Sequence, residues 1–354
     1  MTKEKVMVAM SGGVDSSVTA ALLHKEGYEL IGGTMEVIEG EKSSVSKGAV
    51  KDSRKIANYL GITHYSFDLK EEFKKAVINN FFQEYAKGRT PNPCLICNEK
   101  IKFGILLEKA MELGADYIAT GHYARIIHNS KGRHILKKAE DKIKDQTYML
   151  YNLNQYQLEH TLMPLGRYTK REVRETAKKL GFSIHNKEES QDICFIADND
   201  YTKYLNNKNP ELFRSGYIYD LEGNKLGRHN GLHNYTIGQR KGLGIAAGYP
   251  LYVIKLDREN NAVIVGVDEQ VYSKGLVADS LNWVRISSLE DDLNVKAKIR
   301  YNSKEEDAVI YPTDNKNEVN VVFKEKQRAV TPGQSVVFYD GDTVVGGGII
   351  KQAF

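Results

Sequence analysis

Short apolar runs alternate with stretches of helical spacing over the first 120 residues. Residues 5–10 (KVMVAM) form an apolar run ending at Ser11-Gly12-Gly13, as a strand buried on both faces would. Residues 16–26 carry apolar positions at helical spacing and stop at Gly27, a residue suited to helix ends. The pattern then repeats. It predicts strands over 28–37, 62–67 and 116–120, and helices over 47–60, 70–87 and 100–113. Alternation of this kind implies an α/β fold with a doubly wound, Rossmann-like parallel sheet. Ligands of such sheets sit beyond the carboxyl ends of the strands.

The alternation fades after about residue 200. Residues 216–266 are rich in Gly, Tyr and short apolar runs, which predicts a small β-containing segment. From 295 the chain alternates strictly: Val295, Ala297, Ile299 and Tyr301 on one face, Lys296, Lys298 and Arg300 on the other. Apolar runs at 308–311, 319–323, 335–339 and 344–351 follow with turn residues between them, the mark of a small antiparallel β-barrel. The expected division is 1–210, 211–275 and 276–354. No fixed-period repeat or low-complexity tract interrupts it.

Composition narrows the class. The chain has 354 residues, 41% hydrophobic and 27% charged, as in a folded globular protein. No apolar run approaches the roughly 20 residues that span a bilayer, and the run near the N-terminus is too short for a signal peptide. A cytoplasmic, non-membrane protein is expected. The net charge of +4 excludes a strongly basic nucleic-acid binder but permits a local basic surface. Three cysteines, Cys94, Cys97 and Cys194, do not make a disulfide scaffold and suit a reducing compartment.

The strongest local motif is the segment from Met10 to Ser17 (MSGGVDSS), placed after a strand and opening a helix. Gly12 and Gly13 allow backbone angles closed to other residues, so the chain can wrap an anion with N–H groups and a helix N-terminus facing it. Ser11, Ser16 and Ser17 would add hydroxyl donors. Asp15 would either cap the helix or help hold Mg²⁺ on a pyrophosphate. A Gly-Lys-Ser/Thr signature is absent, so this is not a Walker loop; the plain alternative is a capped Gly-Gly turn. The motif resembles the PP-loop of ATP pyrophosphatases, which adenylate an oxygen of their substrate.

Cys94-Leu-Ile-Cys97 follows Thr90-Pro-Asn-Pro93 and precedes the helix expected at residue 100. A helix N-terminus and the nearby Lys100 and Lys102 would lower the thiol pKa values. Cys194 lies in SQDICFI, residues 190–196. Inert buried thiols are the bland reading; structural zinc is weak, since it usually takes four ligands.

The segments SGGVDSS, TPNPCLICNEKIKFG, ATGHYAR, KDQTYMLYNL, PLGRYTKREVR, SQDICFI and NYTIGQRKGLGI occur in this order. Together they resemble the bacterial tRNA-specific 2-thiouridylase (MnmA) family from residue 7 to about 250. The resemblance implies ATP-dependent thiolation of the anticodon's first uridine at C2, with release of AMP and pyrophosphate. It implies that Cys194 carries a persulfide and that Cys97 is the second thiol, ending in a Cys97–Cys194 disulfide. Many members of the family have Asp where Cys94 stands, so a second route stays open: Cys94, Cys97 and Cys194 as ligands of a 4Fe-4S cluster that carries the sulfur.

By the same resemblance, Ala9, Met10, Ser11, Gly12, Gly13, Val14, Asp15 and Ser16, with Met35 and Gly121, bind ATP. His122, Lys144, Asp145, Gln146, Arg300, Tyr301 and Gln334 contact tRNA; the basic turn at 239–244 (QRKGLG) would reach the RNA backbone. From the residues alone, Met35 reads equally as a core residue, and the tRNA set as ordinary structural or solvated side chains. The implied partners are tRNAs for Lys, Glu and Gln and a sulfur-donor protein fed by a cysteine desulfurase, acting on a monomer. Competing readings are a PP-loop amide ligase acting on a small molecule and a non-catalytic RNA-binding module; loss of 2-thiouridine on gene deletion would separate them.

Overall fold

The computed structural model describes residues 3–38, 43–128, 132–186, 193–196, 200–208, 210 and 213–354. Parallel strands β1 (Lys5–Ala9), β2 (Glu29–Glu36), β3 (Thr63–Asp68) and β4 (Tyr117–Ala119) run through the core of the first region. A hairpin follows, β5 (Ala124–His128) and β6 (His134–Lys138), then a short β7 (Thr161–Leu162). The first sheet has the order β3-β2-β1-β4-β7, with every pair parallel. Helices cover both faces: α1 (Val14–Glu26), α2 (Ser43–Leu60), α3 (residues 70–86), α4 (residues 93–112), α5 (Gln155–Glu159) and α6 (Lys170–Lys179). β1 buries Val6 and Val8 on one face and Met7 on the other, within separate apolar clusters. That two-sided burial explains its unbroken apolar run.

A last helix, α7 (Tyr201–Lys208), leads into a four-stranded sheet of β8 (Gly216–Tyr219), β9 (Lys225–His229), β10 (Tyr252–Asp257) and β11 (Ala262–Gly266). The C-terminal strands are β12 (Tyr272–Trp283), β13 (Leu293–Lys298), β14 (Glu306–Pro312), β15 (Val319–Arg328), β16 (Ser335–Asp340) and β17 (Thr343–Ala353). They pair in the order β12-β15-β14-β13-β16-β17, and β12 pairs again with β17, closing a six-stranded antiparallel barrel.

Three features depart from the sequence expectations. The β5–β6 hairpin was not foreseen; it joins the barrel through β6–β17, so one sheet runs from the first region into the last. The strand around Val295 ends at Lys298, where Ser303 hydrogen-bonds back to Arg300. Tyr301 therefore leaves the face of Val295, Ala297 and Ile299, which line the barrel core, and packs on the cluster of the first region beside Tyr148. Finally, α4 begins at Pro93, so Cys94 and Cys97 lie inside the helix and not ahead of it. Proline at the first helical position and Asn92, whose side chain accepts from the Cys94 N–H, start it there.

Candidate active site

The loop after β1 turns on Gly12, the one loop glycine with positive φ (+69°); a Cβ there would stand 2.8 Å from the Ala49 carbonyl oxygen. Gly13 is extended (φ −97°, ψ 166°) and needs no special freedom, contrary to the expectation for both glycines. Ser16 and Ser17 direct their hydroxyls back to the Gly13 carbonyl, at 3.2 and 2.9 Å, so Ser11 is the exposed hydroxyl of the three. The first N–H groups of α1 have no helical carbonyl four residues back and favour an anion. Ala9 ends β1, and Met10, just after it, donates its N–H to the Gly33 carbonyl. Val14 is buried at the start of α1.

Asp15 does not cap α1. Its carboxylate accepts from the Lys170 ammonium through both oxygens, at 2.8 and 2.7 Å, and from the Tyr123 hydroxyl at 2.9 Å. Gly121 lies flush against this turn: a Cβ would come within 2.9 Å of the Asp15 Cβ and the Ser16 nitrogen. Lys170 was given no role by sequence reasoning. The available signal was a cation in the first turn of a helix opened by the Thr169/Glu172 capping box, the end where the dipole disfavours it.

The thiols gather at the same sheet edge. Met35, Cys97 and Ile193 pack on the apolar cluster that contains Phe195. Cys94 and Cys194 are open to solvent and Cys97 is half-buried, yet all three thiols have enough protein around them to be desolvated. That desolvation raises each pKa, and Cys194 is pushed up to about 12, with the Cys97 and Cys94 thiols adding to the effect. The expected lowering at a helix N-terminus is overturned, because burial outweighs the charges that oppose it. Lys100 pairs with Glu99 instead. Lys102 is the ammonium that opposes the shift at all three cysteines. It is held by Asn98 (2.9 Å), which anchors to the Met149 carbonyl. The helix is of the wider π type over Cys97–Ile105, the stretch that carries both Cys97 and the Lys102 ammonium that acts on it.

His122 Nδ1 bonds the Thr120 hydroxyl at 2.8 Å, and burial with Lys102 nearby drives its pKa well below 6.5, so it is neutral near pH 7. Asp145 and Gln146 spend their side chains inward, on the Ala139 N–H and Thr147 hydroxyl and on the Tyr123 N–H respectively. Lys144 is half-buried beside them. Arg300 is half-buried and donates to the Arg328 carbonyl. Tyr301 shares the Lys298 ammonium with Tyr148. Gln334 donates to the Thr90 carbonyl at 2.8 Å, and Thr90 donates to Pro332, so a barrel turn grips the segment leading to Cys94. Arg240 and Lys241 are exposed. Ser190, Gln191 and Asp192 of the Cys194 motif lie outside the described residues.

Among the described residues, no three His, Cys, Asp or Glu side chains are arranged to hold a metal ion. Among these residues no helix is long and apolar enough to cross a membrane.

Three family models match in succession: a tRNA methyl transferase HUP domain over residues 4–198, a tRNA methyl transferase PRC-barrel domain over 202–267, and an aminomethyltransferase beta-barrel domain over 273–350. The chain is 61% identical over 358 residues to the tRNA-specific 2-thiouridylase MnmA of Halothermothrix orenii, covering 99% of this chain and 100% of that one. It is 54% identical over 362 residues to the protein of the same name from Acetivibrio thermocellus, again with 99% and 100% covered. A third relative, tRNA-specific 2-thiouridylase MnmA 2 of Clostridium tetani, is 52% identical over 356 residues, with 99% of each chain covered.

Proposed function

The chain belongs to the tRNA-specific 2-thiouridylase family, and on that premise we propose that it converts the first anticodon uridine of tRNA to 2-thiouridine, using ATP and a sulfur borne on cysteine. The observation that carries this reading is the meeting of two chemistries at one sheet edge. The anion-wrapping loop ends β1, and Met35, at the end of the adjacent β2, packs on the same apolar cluster as Cys97 and Phe195. Methyl transfer, which the family-model names evoke, makes no use of such a loop or of paired thiols.

The reaction has two parts. The uridine O2 attacks the α-phosphorus of ATP; the bond to the β-phosphate breaks, pyrophosphate leaves with the electron pair, and N3 loses its proton. The outer sulfur of a Cys194 persulfide then attacks C2, and AMP departs with the C2–O electron pair. The Cys97 thiolate next attacks the inner sulfur, forming a Cys97–Cys194 disulfide and leaving the sulfur on C2. N3 regains its proton, and an external dithiol reduces the disulfide. Lys102 faces the sulfur atoms that carry negative charge in these steps. Mg²⁺ would arrive on the nucleotide, screening phosphate charge. The tRNAs for Lys, Glu and Gln are the proposed substrates, with sulfur supplied by a donor protein that a cysteine desulfurase loads. His122, Lys144, Arg300, Tyr301 and the exposed turn at Arg240 and Lys241 are the proposed RNA contacts.

The test is reconstitution: purified chain, anticodon-unmodified tRNA, Mg·ATP and a desulfurase-fed donor, with nucleosides read by mass spectrometry. The expected product is 2-thiouridine with one AMP and one pyrophosphate per modification. C194S should still release pyrophosphate from ATP in a tRNA-dependent manner, with AMP retained on the uridine O2, but yield no 2-thiouridine. Undiminished thiolation by C194S would overturn the sulfur-carrier assignment.

A further inference from the structure

Thr34 puts a hydroxyl into the buried stretch of β2, with only 2% of the residue exposed. Valine would fill the same space with no polar atom to satisfy. The hydroxyl oxygen lies 2.8 Å from the Met10 carbonyl oxygen and 2.9 Å from His64 Nε2. A carbonyl only accepts, so the single hydroxyl proton goes to Met10, and His64 donates its Nε2 proton to Thr34. His64 Nδ1 is then the bare nitrogen. It is buried with no hydrogen-bond partner among the described residues, and burial, with the Arg54 charge second, holds the ring's pKa below 6.5. The ring is thus kept neutral and in one tautomer. Gly32, paired with His64 across the two strands, leaves room for it: a Cβ there would stand 2.8 Å from the Met10 sulfur and 3.1 Å from His64 Cδ2.

The relay ends on the first peptide of the anion-wrapping loop. Pairing of β1 with β2 stops at Ala9 and Gly33, and from there the Thr34 side chain holds the next carbonyl. No cis peptide occurs among the described residues, so the Ser11 N–H points opposite to the Met10 carbonyl. With that carbonyl turned toward β2, the N–H turns into the loop, where it donates to Ser16 Oγ at 3.2 Å. We propose that Thr34 and His64 are positioning residues for the nucleotide, locking the Met10–Ser11 peptide so that the Ser11 N–H faces the phosphates of ATP. The His64 proton keeps the Thr34 hydroxyl turned toward Met10. Both residues act through the Met10 carbonyl and need no contact with the nucleotide. The proposal rests on the reading that the loop binds ATP, and is independent of how sulfur is delivered.

Calorimetric titration of the purified chain with Mg·ATP tests it, with affinity for anticodon-unmodified tRNA as the measure of an intact fold. Without the hydroxyl the peptide can rotate, and binding weakens by the fraction of loops no longer poised for the ligand. T34V, which keeps the shape of the side chain, is expected to bind Mg·ATP about 3- to 10-fold more weakly. T34S, which keeps the hydroxyl, should stay within about twofold of the unaltered chain, and tRNA affinity should hold within about twofold in both. H64F should behave like T34V, and H64Q, whose amide can donate from the place of Nε2, like the unaltered chain. Because the two residues form one relay, T34V/H64F should lose no more than either single variant. Unchanged Mg·ATP affinity in T34V would overturn the proposal. So would a T34S as weak as T34V, an H64F as tight as H64Q, losses that add in the double variant, or equal weakening of tRNA and Mg·ATP, the mark of a general structural defect. No detectable Mg·ATP binding by the unaltered chain would overturn the reading of the loop and the relay's role with it, whereas normal binding indifferent to T34V would overturn the relay alone.

Discussion

Cys194 combines two properties that separate in an alkylation experiment. Its side chain is open to solvent, so a small reagent reaches it. Its pKa is pushed up to about 12 from an ordinary 9.0, first by desolvation and then by the Cys97 and Cys94 thiols. At pH 8 the thiolate should therefore be roughly a thousandfold scarcer than in the unfolded chain. A less acidic thiol is intrinsically more nucleophilic, and a Brønsted slope of about 0.4–0.5 returns roughly 20-fold of that loss. The expected net effect is labelling by iodoacetamide about 50-fold slower in the folded protein than in concentrated urea. The assay is time-resolved labelling with mass-spectrometric readout of the peptide carrying Cys194. The folded rate should keep rising toward pH 12, whereas the unfolded rate levels off near 9. The sign of the linkage follows: the folded state holds this proton more tightly, so the associated stability is full below pH 9 and is lost as pH rises from 9 to 12. Folded and unfolded rates within threefold of each other at pH 8 would refute the desolvated-thiol account. On the proposed reading, in which Cys194 carries sulfur, the raised pKa predicts that loading is helped by a partner that also takes its proton.

Three further outcomes follow from contacts around the site. G121A places a methyl group 2.8 Å from the Asp15 carbonyl carbon; a cost of about 1–3 kcal/mol should appear as a lower Tm together with weaker ATP binding, and wild-type values of both would remove Gly121 from the nucleotide site. Q334A loses the bond to Thr90, about 1 kcal/mol, with faster amide exchange over residues 90–97; unaltered exchange there would show that the barrel turn does not hold the cysteine segment. R300A should weaken tRNA binding and flatten the dependence of affinity on salt by about one ion, and an unchanged slope would take Arg300 off the RNA surface.

Local sequence determined a good part of this protein. β1 is an unbroken apolar run because it is buried on both faces, and the loop turns at Gly12 because its positive φ and contact with Ala49 exclude a side chain. The apolar run and the Gly-Gly pair that these causes select are themselves local patterns, so the parallel sheet and the anion loop are legible without coordinates. The alternating run from Val295 likewise announces a barrel strand, but nothing local marks where Tyr301 swings out to meet Tyr148. What tertiary structure decided are the partnerships across long separations. Lys170 reaches Asp15 across 155 positions and Gln334 reaches Thr90 across 244. The thiol acidities belong to the same class. A helix N-terminus and neighbouring lysines predict a lowered pKa, yet the shift runs upward, because desolvation is set by the whole surrounding fold and exceeds what nearby charges return.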